Sequence, residues 1–477
     1  MSNDLTFYFY DLETSSVNPR TGRIMQFAGQ RTNAKLEPVG EPHNILIKLT
    51  DDVLPDPDAI LITGITPQQT VADGVSEVEF LKTFYEEIAT PSTVFVGFNT
   101  VRFDDEFMRY LMWRNYYDPY EWQWKDGRSR WDMLDVVRMT RALRPDGIKW
   151  PFAPDGRPTN RLELLTSLND LEHEHAHDAL SDVHATIAVA GLIRGKQPKL
   201  FDYLLNMRDK RRVAALVERN EPFVYSSGKY ASEWEKTTAV VRLGDNPKKQ
   251  GALVYDLRHD PAEFLELSAA ELVERWRWAR DEDAPRRLPI KTLQYNRCPA
   301  VAPLAVLDDA SKQRLDLDDK TIARHAEKLR RESGFLDRLH EALEIMNKQQ
   351  QTSFLSDERD VDAQLYDGFV SDKDKAFYAD IHRDVPAEVP GFYDSRLVAL
   401  WPLFKARNFP ALLSDMERGT WEEFRARKLI AGDSKSSAAR YFARLGELAE
   451  RTDLTADKQY LLEELQLWGQ SILPSEY

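Results

Sequence analysis

The chain has 477 residues, room for two to four domains at roughly 100 to 200 residues each, and its 42% hydrophobic and 30% charged content reads as soluble and globular. No run approaches the roughly 18 apolar residues of a membrane helix, the start carries Asp4 and no basic region, and the single Cys298 rules out an internal disulfide framework, so the expectations are no leader, no anchor and a reducing cytoplasmic setting. A net charge of −15 argues against a nonspecific coat for nucleic acid, which is held by Lys and Arg displacing counterions.

In chain order, residues 5–12 read as a buried strand, 24–30 and 45–48 as two more, and 78–88 as a helix. The β-branched stretch 93–98 predicts a strand ending near Gly97 and Asn99, followed by a helix over 105–115. A long apolar helix is expected over 179–193, stopped by Gly195 and Pro198. Strands interleaved with helices in this way suggest an α/β sheet with helices on its faces. From Lys199 the pattern becomes β-rich, with strands at 223–225, 237–243, 252–257 and 289–295, another within NRCPAVAPLAVL, and helices over 269–280 and 321–347. KQQQTSFLSDERD reads as a polar linker, and the remainder is helical, WEEFRARKLIAG and SSAARYFARLGELAERT being the clearest segments.

Charge is distributed unevenly. Between Arg102 and Arg161 there are 12 Lys and Arg against 10 Asp and Glu, a balance of +2 inside a chain at −15. The same segment holds Trp113, Tyr116, Tyr117, Tyr120, Trp122, Trp124 and Trp131. Basic residues among aromatics suit a single strand, whose backbone follows positive charge while unpaired bases stack on rings. The competing reading places most of these rings in the core.

Acidic motifs supply the chemistry. Asp11 and Glu13 lie in TFYFYDLETS, and residues two apart in a strand share a face. Asp-x-Glu is a weak signal alone, since it recurs at Asp104/Glu106, Asp170/Glu172 and Asp415/Glu417. The first pair differs by lying in an apolar strand, where an unpartnered carboxylate is costly; a partnered structural aspartate is the alternative. His-x-x-x-x-Asp occurs as His173/Asp178 and His177/Asp182. Asp182 falls inside the apolar helix, where a charge needs a reason, whereas Asp178 suits a helix N-terminal acid. Asp104, in GFNTVRFDDEF, has the neighbour Asp105, and spacing does not choose between them. Four carboxylates in one small volume require cations. Magnesium is the natural counter-charge, and two such ions about 4 Å apart can clamp the attacking and leaving oxygens of a phosphodiester, with a nearby histidine accepting the proton of the attacking water.

Together these motifs resemble those of the DEDD exonuclease superfamily, histidine subtype. LITGITPQQ, GFNTVRFDDEFMR, RNYYDPYEWQW, SRWDMLDVVRMTRALRPDGIKWP, NRLELLTSLNDLEHEHAHDALSDVHATIA and KQPKLFDYLL narrow the resemblance to the bacterial exonuclease I family, single-strand-specific 3′ to 5′ exodeoxyribonucleases. KTLQYNRCPAV and DVDAQLYDGFVSDKD resemble the same family, and the similarity thins between about 220 and 285 and over the last hundred residues. The resemblance assigns Asp11, Glu13, Asp104 and Asp182 to metal and His177 to the general base. It implies an RNase H-like exonuclease domain (1–197), a Src-homology-3-like barrel with inserted helices (198–350) and a helical C-terminal domain (354–477), closing in the family into a C-shaped body around DNA. Arg161, Arg109, Tyr120, Trp124 and Arg138 fall where strand contacts are expected, and Arg144 and Tyr203 where relatives receive the acidic tail of the single-strand-binding protein. FYDLETSS departs from several relatives, which carry an aromatic and a glycine after the threonine.

The expected activity is therefore magnesium-dependent removal of 5′-mononucleotides from 3′ ends of single-stranded DNA, with two ions per site, manganese able to substitute, a monomeric protein, and roles in repair and recombination. The rival readings are an RNA-directed exonuclease of the same superfamily, a non-catalytic strand-binding scaffold, and a structural α/β protein.

Overall fold

The computed structural model describes residues 5–171, 178–277, 286–355 and 359–474. The chain divides into two compact units: Met1–Arg128 with Glu174–His184 and Arg359–Tyr477, and Ser129–His173 with Ala185–Glu358. No described helix is long and apolar enough to cross a membrane.

In the first unit β1 (Thr6–Thr14) pairs antiparallel with β2 (Ile24–Thr32) and parallel with β4 (Thr93–Gly97), while β2 pairs antiparallel with β3 (His43–Leu46). Strand alternation explains why β1 is apolar and yet carries acids. Tyr8, Tyr10 and Leu12 enter an aromatic core with Phe27, Phe80, Phe84, Phe95 and Trp122. Phe7, Phe9, Asp11 and Glu13 have the opposite parity and occupy the other face. The core is capped by helices Glu77–Thr83 and Asp104–Arg114. The first begins at a reciprocal cap in which Glu79 N donates to Ser76 Oγ and Ser76 N to Glu79 Oε2. The helix expected over 78–88 ends at Thr83 and passes into a π-turn, Phe84–Ile88.

The C-terminal helices of this unit include Ser395–Asn408, Asp415–Leu429, Ser437–Ala449 and Ala456–Ile472. They bury Leu397, Leu400, Trp401 and Phe404 against Tyr110, Trp113 and Tyr116, and Tyr441, Leu445 and Leu465 against Met25, Ile60 and Ile65. Between them lies a buried ionic cluster. Arg407 bonds Asp362 (2.7 Å) and Asp52 (2.8 Å), Arg23 bonds Asp362 (2.8 Å), and Lys428 bonds Asp52 (2.6 Å). Three cations around two carboxylates hold both acids well below the usual carboxylate range despite full burial.

The second unit holds β5 (Ser129–Asp132) and an antiparallel sheet of β6 (Phe223–Ser226), β7 (Thr237–Asp245), β8 (Gly251–Asp256), β9 (Ile290–Gln294) and β10 (Ala300–Pro303) in the order β10-β6-β7-β8-β9. This is the expected β-rich module, with a bulge between Arg242 and Gly244 in β7. Helix Met133–Leu143 is fastened to the barrel by Arg141 Nε on Glu235 (2.6 Å) and by Arg314 donating to the carbonyl of Ala142 (2.7 Å).

Three expected element ends are corrected. The helix Ala179–Lys196 runs through Gly195, an interior glycine costing only about 1 kcal/mol; the next helix starts at Pro198, where the missing N–H is no loss. The stretch 321–347 is two helices, Asp319–Arg331 and Gly334–Leu355, separated at Glu332. The second continues to Leu355, so most of the expected linker is helical. The helix over 269–280 is described as Ala269–Trp276, and its expected end lies outside the described residues.

Candidate metal centre and nucleic-acid contacts

Asp11 and Glu13 occupy the acidic face of β1, and Asp182 comes from the first turn of helix Ala179–Lys196. Ligand atoms of these three residues all lie within 4.8 Å of one another. Asp104 opens helix Asp104–Arg114 and is 4% exposed. The turn before it depends on Gly97, where a Cβ would stand 2.9 Å from the Tyr10 carbonyl oxygen and collide with the Thr100 methyl. That close approach brings the end of β4 and the start of the helix up against β1.

The electrostatics are those of carboxylates crowded together and partly withdrawn from water. Burial, then Asp104, Glu13, Asp182 and Asp178, raises Asp11 far above an ordinary carboxylate. Burial, then Asp182, Asp104 and Asp178, pushes Glu13 up to about 8. A divalent cation taking oxygen ligands is the species such a donor set fits, since it restores the ionised form of each acid. Asp104 stands outside the tight trio yet acts on both β1 acids. Its neighbour Asp105 accepts the Tyr10 hydroxyl at 2.5 Å. Asp178 accepts the Ser181 N–H at 2.9 Å, the helix N-terminal role expected of it. His177, expected as general base, lies outside the described residues.

The aromatic segment divides as follows. Trp113, Tyr116, Trp122 and Trp131 are core, each at most 2% exposed, whereas Trp124 is 61% exposed. Tyr120 is partly exposed beneath Arg109, whose guanidinium lies 5.6 Å from its ring. Arg109 itself is buried and bonded to Glu106 (2.7 Å), Gln123 (3.0 Å) and Tyr366 (3.4 Å), so its charge is engaged inside the protein. Tyr366, with Phe369 beside Tyr120 and 91% exposed, is a neighbour that sequence reasoning missed. The family string containing AQLYDGF was the available signal.

The remaining expected contacts belong to the second unit. Arg161 precedes helix Leu162–Leu168 with a largely exposed side chain, 3.8 Å from Glu163. Arg138 is paired with Asp135 at 2.6 Å and packs over Gly228. Arg144 donates to the carbonyls of Leu143 (2.6 Å) and Val306 (2.9 Å) and reaches Asp308 at 3.4 Å. Tyr203 is partly buried, packs on the barrel core and donates its hydroxyl to the Val301 carbonyl at 3.2 Å.

Comparison with known proteins is consistent along the whole length. Residues 8–190 match the family model described as exonuclease, 208–344 that of the exonuclease I SH3-like domain, and 359–472 that of the exonuclease I C-terminal domain. The chain is similar to exodeoxyribonuclease I of Haemophilus influenzae, 39% identical over 99% of this chain and 100% of the relative. Among solved structures it is similar to Escherichia coli exonuclease I in complex with a dA16 oligonucleotide, with TM-score 0.90, 36% identity and coverage of 98% of this chain and 100% of the other. It is also similar to an SSB/exonuclease I structure holding an inhibitor, with TM-score 0.87, 36% identity and coverage of 98% and 99%.

Proposed function

The chain belongs to the exonuclease I family of exodeoxyribonucleases, and from that premise we propose that it removes 5′-mononucleotides from the 3′ end of single-stranded DNA in a magnesium-dependent, processive reaction serving repair and recombination. The observation that carries the chemistry is the convergence of Asp11, Glu13 and Asp182 from two separate segments within 4.8 Å. The single-strand preference is supported by likeness to an enzyme solved with a dA16 oligonucleotide and by the exposed ring of Trp124.

Asp11, Glu13 and Asp182 would hold the two metal ions, with Asp104 serving the second position. When bound, two such ions polarise the scissile phosphodiester and stabilise the charge that develops on its oxygens. His177 takes the proton from the attacking water. Arg161 and Arg138 meet backbone phosphates, and Trp124 and Tyr120 offer faces to bases. Arg109 holds Tyr120 in place from behind. The organisation is three domains over 1–197, 198–350 and 354–477, in a cytoplasmic monomer.

Purified protein with end-labelled single-stranded DNA, duplex DNA and RNA, each with and without magnesium, tests the reading. Digestion of the single-stranded DNA alone, from its 3′ end and only with the ion, is expected. Asp182→Ala should abolish cleavage while single-strand binding persists in calcium. Turnover near wild type in that variant, or equal digestion of RNA, overturns the assignment.

A further inference from the structure

Helix Asp104–Arg114 begins without the device that usually fixes a helix start. Phe103 occupies the N-cap position with φ −124° and ψ −75° and provides no side-chain hydrogen bond to the first turn. An uncapped start tends to fray, yet this turn carries Asp104, which must stand at a set distance from Asp11 and Glu13. The restraint comes from elsewhere. Asp105, 1% exposed, accepts the hydroxyl of Tyr10 at 2.5 Å. The next acid, Glu106, accepts the hydroxyl of Tyr366 at 2.5 Å and pairs with Arg109 at 2.7 Å.

Tyr10 is a rigid post. Its ring is 3% exposed, lies nearly parallel to Phe27 with centroids 6.0 Å apart, and meets Phe95 and Trp122 edge-on at 6.2 and 6.4 Å. Tyr10 is also the residue before Asp11 on β1, as Asp105 is the residue after Asp104 on the helix. One buried hydrogen bond therefore joins the two backbone segments immediately beside two acids of the site. A side chain packed on one face of the strand thereby fixes the register of a group serving the other face.

We propose that Tyr10 and Asp105 form a positioning pair: their hydrogen bond tethers the first turn that Phe103 leaves uncapped and sets Asp104 against Asp11 and Glu13. Neither residue contacts substrate or ion in this role. The inference rests on the reading of Asp104 as a metal ligand.

Manganese titration of the full-length metal-free protein, followed by the paramagnetic signal of the free ion, tests it alongside the metal dependence of cleavage. Outer partners of metal ligands typically contribute about 10- to 100-fold in affinity. Tyr10→Phe, which keeps the ring and removes only the hydroxyl, should weaken the weaker manganese site by about tenfold. Its kcat at saturating manganese should return to near wild type. Asp105→Leu should match it, and the double variant should lose no more than either single change, because both remove one shared bond. Tyr116→Phe is the control for a merely structural loss. That fully buried hydroxyl donates to the Leu397 carbonyl at 2.8 Å, among the C-terminal helices, and its removal should leave manganese affinity unchanged. Wild-type manganese binding in Tyr10→Phe, an equal loss in Tyr116→Phe, or additive losses in the double variant each overturn the proposal. If Asp104→Asn leaves both manganese sites intact, the parent reading of Asp104 fails, and this outcome is distinct from a loss confined to Asp104→Asn, which overturns the positioning pair alone.

Discussion

Glu13 shows how strongly a single residue of the site depends on its counter-charge. Burial and the nearby Asp182 and Asp104 push its carboxyl up to about 8. Between about pH 4.5 and 8 the folded metal-free protein thus retains a proton that the unfolded chain has released. Stability from this group is fully present below pH 4.5 and is lost as pH rises through 8, at up to about 1.4 kcal/mol per pH unit for one proton. Asp11, raised for the same reasons, adds in the same direction. A bound divalent cation removes the penalty by favouring the ionised acids. Thermal unfolding with and without magnesium should therefore show a metal-induced rise in Tm that is larger at pH 8 than at pH 6. A rise independent of pH would mean that the acids do not meet the ion. His177→Ala should reduce kcat by about 10²- to 10⁴-fold with little change in metal affinity, as expected for loss of a general base. An unchanged rate at neutral pH would move that role to another group.

At the scale of elements, the strand and helix that carry the acids were legible because each violates its own pattern. Asp11 interrupts an apolar strand and Asp182 an apolar helix, and the fold brings both together with Glu13. Spacing treats Asp104 and Asp105 alike, because the tertiary bond from Tyr10 to Asp105 leaves no trace in the local sequence. The run 321–347 gave no sign of its break, since both flanking segments keep helical periodicity and the second simply starts afresh at Gly334. Trp122 and Trp124 make the limit plainest. Two positions apart in one short irregular segment, one is 0% and the other 61% exposed, and composition treats them alike. The exposure yields a prediction. Trp124→Ala should weaken single-strand binding by about 1 to 3 kcal/mol, the worth of one stacked base, without shifting the unfolding midpoint. Loss of folded protein, with binding per folded molecule unchanged, would return Trp124 to a structural role.

Over the whole molecule, the sum of charge misleads where its arrangement informs. A chain at −15 should repel both DNA and any acidic peptide except where cations gather. The barrel side of helix Met133–Leu143 offers such a gathering in Arg144 and Arg314, which both help hold Asp308 below its usual range after the hydrogen bonds from Ser311. The family resemblance leads one to expect a partner's acidic tail near Arg144, and such a tail, ending in an aromatic ring, would require a cation for its carboxylates and an apolar seat for the ring. Arg144 meets the first need with a side chain 38% exposed. Its internal partners are two carbonyls and one exposed aspartate, weaker competitors for a guanidinium than a peptide bearing several carboxylates. Fluorescence anisotropy with a labelled tail peptide should therefore show binding at low salt that weakens as ionic strength rises. Arg144→Ala should reduce it by about 2 kcal/mol, within the range for a charge-assisted contact. Tyr203→Phe should leave it nearly intact, because the hydroxyl is already satisfied by Val301 while the ring remains. Binding unaffected by Arg144→Ala would place the tail elsewhere, and no binding at low salt would exclude this partner.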